Sequence, residues 1–427
     1  MDSYLFSNYN IVKHTGDLFW VANTISGAVV QLDERLYDIF CSNSIDKLSS
    51  QELDTLIANR IVVSSDLDEK GLLRAMYSKF KYSQKISQII ICPTLECNFA
   101  CPYCFETRQQ GKMSTEIQNE TLLFIEKILE KHPQILSIDW FGGEPLLYPQ
   151  IIEEMSQKII SLCSKYGSEY RFTITTNGYN INSSVLSLFE RIRLFEARIT
   201  LDGDAQTHNK RRILKNGLGT YDVIVKNIIS LAEAGIFVKL RVNIDKDNPN
   251  GYQHIIDHFS GRKNIFTYPA LVVEEDTQSM EQKQKCYSHT EAGYFYKSTY
   301  NEYQFRPAFE KLFSSGVCSC VAEQDLSYVI DQNGFLYKCV NDVGHKESSF
   351  GHVREGSPLN PSPIAKYMGR DPISEASCEN CKFLPVCFGG CVYEKDKRGT
   401  HSCPQIKYIF DDLVLEKIKN QESHVHP

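Results

Sequence analysis

No stretch of the 427-residue chain approaches the roughly 18 consecutive apolar residues that a membrane-spanning helix needs, so no membrane partner is expected. The opening MDSYLFSNYN has neither a basic n-region nor an apolar run, so no secretory signal is read there and a cytoplasmic location is expected. An excess of basic charge is missing too. The formal charge is −7, which leaves no global footprint for nucleic acid and only a mild bias toward a basic partner. Internal repeats and low-complexity segments are also lacking, which sets repeat architectures aside.

What is present is the balance of a soluble globular protein, 42% hydrophobic and 23% charged, in a chain long enough for two or three domains. Fifteen cysteines is an odd number for a disulfide framework. Without a secretory signal, clustered cysteines read as metal ligands. Cys41, Cys92 and Cys163 stand apart in apolar surroundings and are expected to be buried, inert thiols.

Three regions separate by pattern. In the first, LFWVAN and AVVQL flank TISG, a hairpin signal. Helical patterns follow at DERLYDIFC and SSQELDTLIAN, the second with Ser49 or Ser50 as N-cap, and then a short β run, RIVVSS. This order predicts a small winged-helix module over residues 1–80. From Gln88 onward strands and helices alternate. QIIIC, ILSIDWF, YRFTITTN, EARITLD, FVKLRVNI and FTYPALVV are the strands, with helices such as STEIQNETLLFIEKILEKH and YDVIVKNIISLAEAG between them. Such alternation implies a parallel sheet with right-handed crossovers and functional residues at the C-terminal strand ends. Residues 85–300 are therefore expected to form a partial (β/α)6 barrel of the TIM type, an α/β fold. Beyond about residue 310 the alternation stops and cysteines become dense; 310–427 is expected to build little core and to fold around metal.

The sharpest local signal is ECNFACPYCFE, where Cys97, Cys101 and Cys104 are spaced C-x3-C-x2-C directly after the first strand. Three thiolates hold three irons of a four-iron cluster and leave the fourth open to a chelating ligand. Zinc sites instead show paired C-x2-4-C units. The triplet resembles the hallmark loop of the radical S-adenosylmethionine (radical SAM) enzymes, and the resemblance continues strand by strand. It implies a [4Fe-4S] cluster with S-adenosylmethionine bound to its open iron. Tyr103 fills the aromatic position whose backbone meets the adenine. GGEP, Gly142, Gly143, Glu144 and Pro145, resembles the motif for the methionine amino group, with Glu144 accepting from the ammonium. Asn177 ends the third strand, and Thr200 stands where a ribose contact is usual. Arg212 stands where an arginine holds the methionine carboxylate, with Arg211 its neighbour. Asn209 replaces a frequent Asp. Arg241 and Asn243, in RVNID, either line the pocket or stabilise the strand end. No catalytic base is assigned.

The C-terminal cysteines form a second pattern. Cys320 precedes Gly334 and Cys339, then Cys378-x2-Cys381-x5-Cys387-x3-Cys391, and Cys403 closes the set. This resembles the SPASM extension of radical enzymes that modify peptides and proteins. The resemblance implies two auxiliary [4Fe-4S] clusters, an outer one on Cys378, Cys381, Cys387 and Cys403 and an inner one on Cys320, Cys339 and Cys391. Cys318 is the nearest candidate for the missing inner ligand; Cys286 and an open iron are the alternatives.

The N-terminal region, GDLFWVANTISGAVVQLDERLYDIF, resembles the peptide-recognition element of ribosomal-peptide (RiPP) maturases, whose strand pairs with a leader peptide. A DNA-binding winged helix is disfavoured by Asp46, Glu52, Asp54, Asp66, Asp68 and Glu69. The expected partners are a precursor peptide with its leader and a one-electron reductant such as flavodoxin or ferredoxin. The expected reaction is hydrogen abstraction by a 5′-deoxyadenosyl radical, followed by a thioether or carbon–carbon crosslink. A sulfatase-activating enzyme that oxidises Cys or Ser to formylglycine is the alternative.

Overall fold

The computed structural model describes residues 3–272, 274, 278–303, 320–355, 359–399, 403–404 and 406–423. The chain divides into two compact units, each assembled from separate stretches. One contains Met1–Lys81, His289–Cys320 and Arg370–Pro427; the other contains Tyr82–Ser288 and Val321–Gly369. The three regions read from the sequence therefore do not correspond one to one with compact units.

In the first unit, β1 (Tyr4–Phe6) pairs with β5 (Val62–Ser64), and β2 (Asn10–Thr15), β3 (Leu18–Asn23) and β4 (Val29–Leu32) form an antiparallel sheet in that order. The hairpin expected from LFWVAN and AVVQL is β3–β4. The sequence reading passed over β2, whose alternation is blurred by Lys13 and His14. Alternate residues of this sheet serve two cores. Ile11, Trp20, Ala22 and Val29 pack with Ile406, Phe410, Val414 and Ile418 of the helix Ile406–Ser423. Val21 and Leu32 pack on the other side with Phe40, Leu56, Ile61 and Val62. Ser49, not Ser50, caps the helix Ser50–Ala58, in a reciprocal capping box with Glu52. Residues 1–81 thus share part of their core with the C-terminal stretch and keep part to themselves: Trp20 meets Phe410 and Thr24 donates to the Lys382 carbonyl at 2.6 Å, whereas the core around Phe40 and Leu56 is local.

The second unit is built on β6 (Ile86–Ile91), β7 (Ile135–Trp140), β8 (Glu169–Thr176), β9 (Leu194–Leu201), β10 (Phe237–Ile244) and β11 (Ile265–Leu271). All neighbours are parallel, in sequential order, with helices in the crossovers. Three more strands, β12 (Ser327–Ile330), β13 (Phe335–Tyr337) and β14 (Gly351–His352), extend the sheet to nine. Of these, β12 joins β6 in parallel and the other two follow antiparallel. Here the expectation of little core beyond residue 310 gives way: Val329 and Tyr337 pack with Ile90, Cys92 and Leu95, because β12 completes the apolar edge that β6 leaves open. No helix among the described residues is long and apolar enough to cross a membrane.

Candidate active site

The C-terminal ends of β6 to β10 carry the loops that the sequence singled out, and they meet around a cavity of about 580 Å³ in the second unit. Cys97, Cys101 and Cys104, all half-buried and none in a disulfide, line it. Burial pushes the Cys97 thiol up to about 12 and raises Cys101 and Cys104 as well. In the metal-free protein these thiols are therefore neutral near neutral pH. Among the described residues, no three His, Cys, Asp or Glu side chains close on one point as the ligands of a single ion do.

Gly142 and Gly143 line the same cavity. Their loop lies directly on the thiol loop: a Cβ at Gly143 would sit 2.2 Å from the Glu96 carbonyl oxygen, and one at Gly142 2.3 Å from that of Thr94. Glycine is required because backbone meets backbone. Glu144 is fully buried beside the cavity without being one of its lining residues. Its Oε1 accepts from Leu146 N at 2.9 Å and Thr176 Oγ1 at 2.7 Å, and its Oε2 accepts from Asn177 N at 2.7 Å. Burial raises its pKa and these bonds oppose the rise. Its observed role is to tie the Gly142–Pro145 turn to the end of β8, whereas the sequence reading assigned it to an ammonium. Pro145 starts the short 3-10 turn Pro145–Leu147 and is buried. Asn177 lines the cavity, with Nδ2 donating to Asn98 Oδ1 at 2.8 Å; Thr200 also lines it.

The adjacent arginines have different surroundings. Arg211 is held by two carboxylates, Asp202 Oδ2 at 2.9 Å and Asp245 Oδ2 at 2.6 Å. Arg212 lines the cavity, and its buried Nε has no hydrogen-bond partner among the described residues. Tyr103 connects them: its hydroxyl donates to Asp202 Oδ2 and accepts from Arg212 Nη1 at 3.2 Å. Asn209 accepts from Thr220 N at 2.8 Å and Tyr221 N at 3.0 Å, capping the helix Tyr221–Glu233. An aspartate there would accept the same bonds, so the departure at Asn209 is chemically mild. Arg241 and Asn243 both line the cavity, with Arg241 Nε donating to Asn243 Oδ1 at 2.8 Å.

The sequence reading missed the wall formed by Glu106, Asp139, Arg198 and Tyr268. Arg198 pairs with Asp139 at 2.6 Å and Glu196 at 2.8 Å. The available signal was a charged residue at alternate positions of strands otherwise apolar on both faces, as in ILSIDW.

In the first unit, burial lifts the Cys387 thiol to about 11, and Cys381, Cys378 and Cys403 add to the rise. Cys320 and Cys391 lie in the same unit, Cys339 in the other, and Cys318 falls outside the described residues. Cys286 is half-buried beside the Gln282 carbonyl, at 3.7 Å. Cys92 and Cys163 are buried as expected, but Cys41 is exposed, because its helix buries Ile39 and Phe40 instead.

Residues 91–259, the span of these strands and loops, match the family model of the radical SAM superfamily. The protein thus carries a radical SAM domain, of a superfamily that binds a [4Fe-4S] cluster and S-adenosylmethionine. It is similar to the cysteine-type anaerobic sulfatase-maturating enzyme of Clostridium novyi, 23% identical over 78% of this chain and 96% of that one. It is also similar to the radical SAM cyclopropyl synthase TigE of Paramaledivibacter caminithermalis, 21% identical over 92% of this chain and 90% of that one. Among solved structures, Streptococcus suis SuiB bound to its precursor peptide SuiA shares the fold, with a TM-score of 0.51 at 15% identity over 92% of this chain and 97% of that one.

Proposed function

We propose that the protein is a peptide maturase of the SPASM type, which removes a hydrogen from an unreactive carbon of a ribosomally made precursor and installs a thioether or carbon–carbon crosslink. The observation that carries this reading is the three-stranded sheet of the first unit. Both of its faces are covered by apolar cores, while β2 and β4 each keep one edge without a strand partner among the described residues. Such a sheet has backbone groups to offer a ligand and no open face, which suits strand addition by a leader peptide to a winged-helix recognition element. The alignment with TigE, which takes in this N-terminal region, is consistent with it.

When bound, a [4Fe-4S] cluster supplies the electron that cleaves S-adenosylmethionine to a 5′-deoxyadenosyl radical. Cys97, Cys101 and Cys104 hold that cluster. Arg212 takes the methionine carboxylate on its open edge, and Gly142 and Gly143 let the backbone approach the amino group. Tyr103, Asn177 and Thr200 complete the cofactor wall. Cys378, Cys381, Cys387 and Cys403 hold an outer auxiliary cluster, a reading supported by their spacing in the sequence. For an inner cluster on Cys320, Cys339 and Cys391, with Cys318 as a further ligand, spacing alone carries the proposal. The donor of the reducing electron is a flavodoxin or ferredoxin.

A second reading, a sulfatase-maturating enzyme, is favoured by the Clostridium novyi relative, matched over nearly its whole length. Mass spectrometry separates the two. The reconstituted enzyme is incubated under reducing, anaerobic conditions with a candidate precursor and, separately, with a sulfatase-derived Cys or Ser peptide. Loss of a hydrogen pair with fragments that stay linked supports the maturase. An aldehyde trapped by a hydrazide on the sulfatase peptide, with the precursor untouched, overturns it.

A further inference from the structure

The aromatic ring between Cys101 and Cys104 carries a hydroxyl that packing alone does not require. We propose that this hydroxyl, on Tyr103, is a positioning group that aims Arg212 at the cofactor's carboxylate. The inference rests on the reading of Arg212 given above.

The argument starts from the guanidinium. Of its two forks, the one formed by Nε and Nη2 suits bidentate carboxylate binding. In Arg212 the other nitrogen, Nη1, donates to the Tyr103 hydroxyl at 3.2 Å, while Nε is buried with no partner among the described residues. The engaged nitrogen is therefore the one that leaves this fork open. The hydroxyl can accept from Arg212 only because its own proton is committed elsewhere, to Asp202 Oδ2.

Asp202 is in turn fixed. The same oxygen accepts from Arg211 Nε at 2.9 Å, and the Asp202 backbone N donates to His208 Nδ1 at 3.3 Å. The Arg211 guanidinium lies 5.0 Å from the centre of the Tyr103 ring and also binds Asp245 at 2.6 Å. The ring is thus held by a network anchored on β9 and β10. Asp202 keeps a second oxygen, Oδ1, that is buried and unpartnered among the described residues. It is the carboxylate toward which Arg212 would turn if the phenol were missing. The hydroxyl separates the two charges and prevents the arginine from being neutralised inside the protein.

The test uses the full-length, reconstituted protein and S-adenosylmethionine as the probe. Binding is followed by the change in the cluster's electron-paramagnetic-resonance signal on titration, beside KM and kcat for uncoupled cofactor cleavage. Tyr103→Phe keeps the ring and is expected to raise the dissociation constant roughly ten-fold, the effect of one charge-assisted hydrogen bond, with a larger loss in KM than in kcat. Arg212→Lys should then cost much less in the Tyr103→Phe background than alone, because both changes disable one device. Wild-type affinity in Tyr103→Phe, or additive losses in the double variant, overturns the proposal. So does loss of iron from Tyr103→Phe, which would make the hydroxyl a support for the loop. If Arg212→Lys alone leaves binding unchanged, the reading of Arg212 fails, and the proposal with it.

Discussion

Tyr77 stacks on Phe388, with ring centroids 5.1 Å apart and planes within 6°. One residue belongs to the helix Glu69–Lys81 and the other to the loop between Cys387 and Cys391, so the N-terminal stretch and the C-terminal cysteines share a core. Tyr77→Ala should cost about 3 kcal/mol, the usual loss for an aromatic deleted from a core. Iron content should fall with it, as expected if Cys378, Cys381, Cys387 and Cys403 hold the proposed outer cluster. Chemical unfolding of the metal-free protein and iron content after reconstitution check both. Full iron in a destabilised variant would separate this core from the outer cluster.

The same packing changes what truncation can reveal. Removing residues 1–80 would expose Phe388, Leu384 and Phe410 to water, and the remaining chain is expected to lose solubility or its cooperative transition. Leader recognition is better tested by changes on the β4 edge in the full chain. Gln31→Pro removes a backbone donor on the outer side of β4, and a several-fold weaker leader affinity by fluorescence polarisation is the expected outcome. Unchanged affinity would remove β4 as the docking edge.

Arg211 and Arg212 should separate cleanly on substitution. Arg211→Gln leaves Asp202 and Asp245 as buried carboxylates without their cation, and a loss of about 3 kcal/mol in stability is expected. Arg212→Gln removes a side chain with no carboxylate partner among the described residues, so its main effect should be a KM for S-adenosylmethionine raised ten-fold or more. Thermal unfolding and uncoupled cleavage kinetics, run on both variants, decide. The reverse distribution would exchange the two roles.

These contrasts show what was legible in the sequence. The six parallel strands, the helices between them and the thiol triplet followed from local patterns, because alternation and spacing are properties of short segments. The difference between Arg211 and Arg212 was not legible, since it depends on Asp245, which pairs with one arginine from a different strand. The partners of Glu144, Thr176 and Asn177, were hidden for the same reason: they are distant in sequence. The division into units was also hidden. Trp20 reads as a strand residue, but nothing near it announces that its partner is Phe410. The exposure of Cys41 was hidden too, because it depends on which helix face is covered.

Gly143 offers a sharper test of the cluster loop. Alanine there would place a methyl against the carbonyl oxygens of Glu96 and Leu95, at 2.2 and 2.7 Å, and backbone cannot yield as a side chain can. Gly143→Ala is expected to cost about 2–3 kcal/mol and to lower iron retention at Cys97, Cys101 and Cys104. Gly167→Ala is the control. Its φ is 70° with nothing within 4 Å, so only backbone strain of about 1–2 kcal/mol is expected, without loss of iron. Equal iron in both variants would show that the close approach at Gly143 does not support the cluster.

His208 makes the last prediction, one of pH dependence. The ring is fully buried; Nδ1 accepts from Asp202 N, and Nε2, 3.0 Å from Thr220 Oγ1, is then the protonated nitrogen. The Thr220 hydroxyl passes the chain on to the Arg212 carbonyl at 2.5 Å. Burial, with Arg212 nearby, lowers its pKa from 6.5 to about 3. The folded state therefore binds fewer protons than the unfolded state between those limits, and stability falls as pH drops below 6.5. Above 6.5 both states hold a neutral ring and the penalty vanishes. At pH 5 the linkage amounts to about 2 kcal/mol. In His208→Gln this titration is gone, though the hydrogen-bond chain is weakened at every pH. The wild type should thus exceed the variant in stability at pH 8, and the gap should narrow by about 2 kcal/mol at pH 5. Parallel denaturant titrations of the metal-free proteins at the two pH values measure this directly. A gap that stays constant, or widens on acidification, would show that His208 carries a proton in the folded protein.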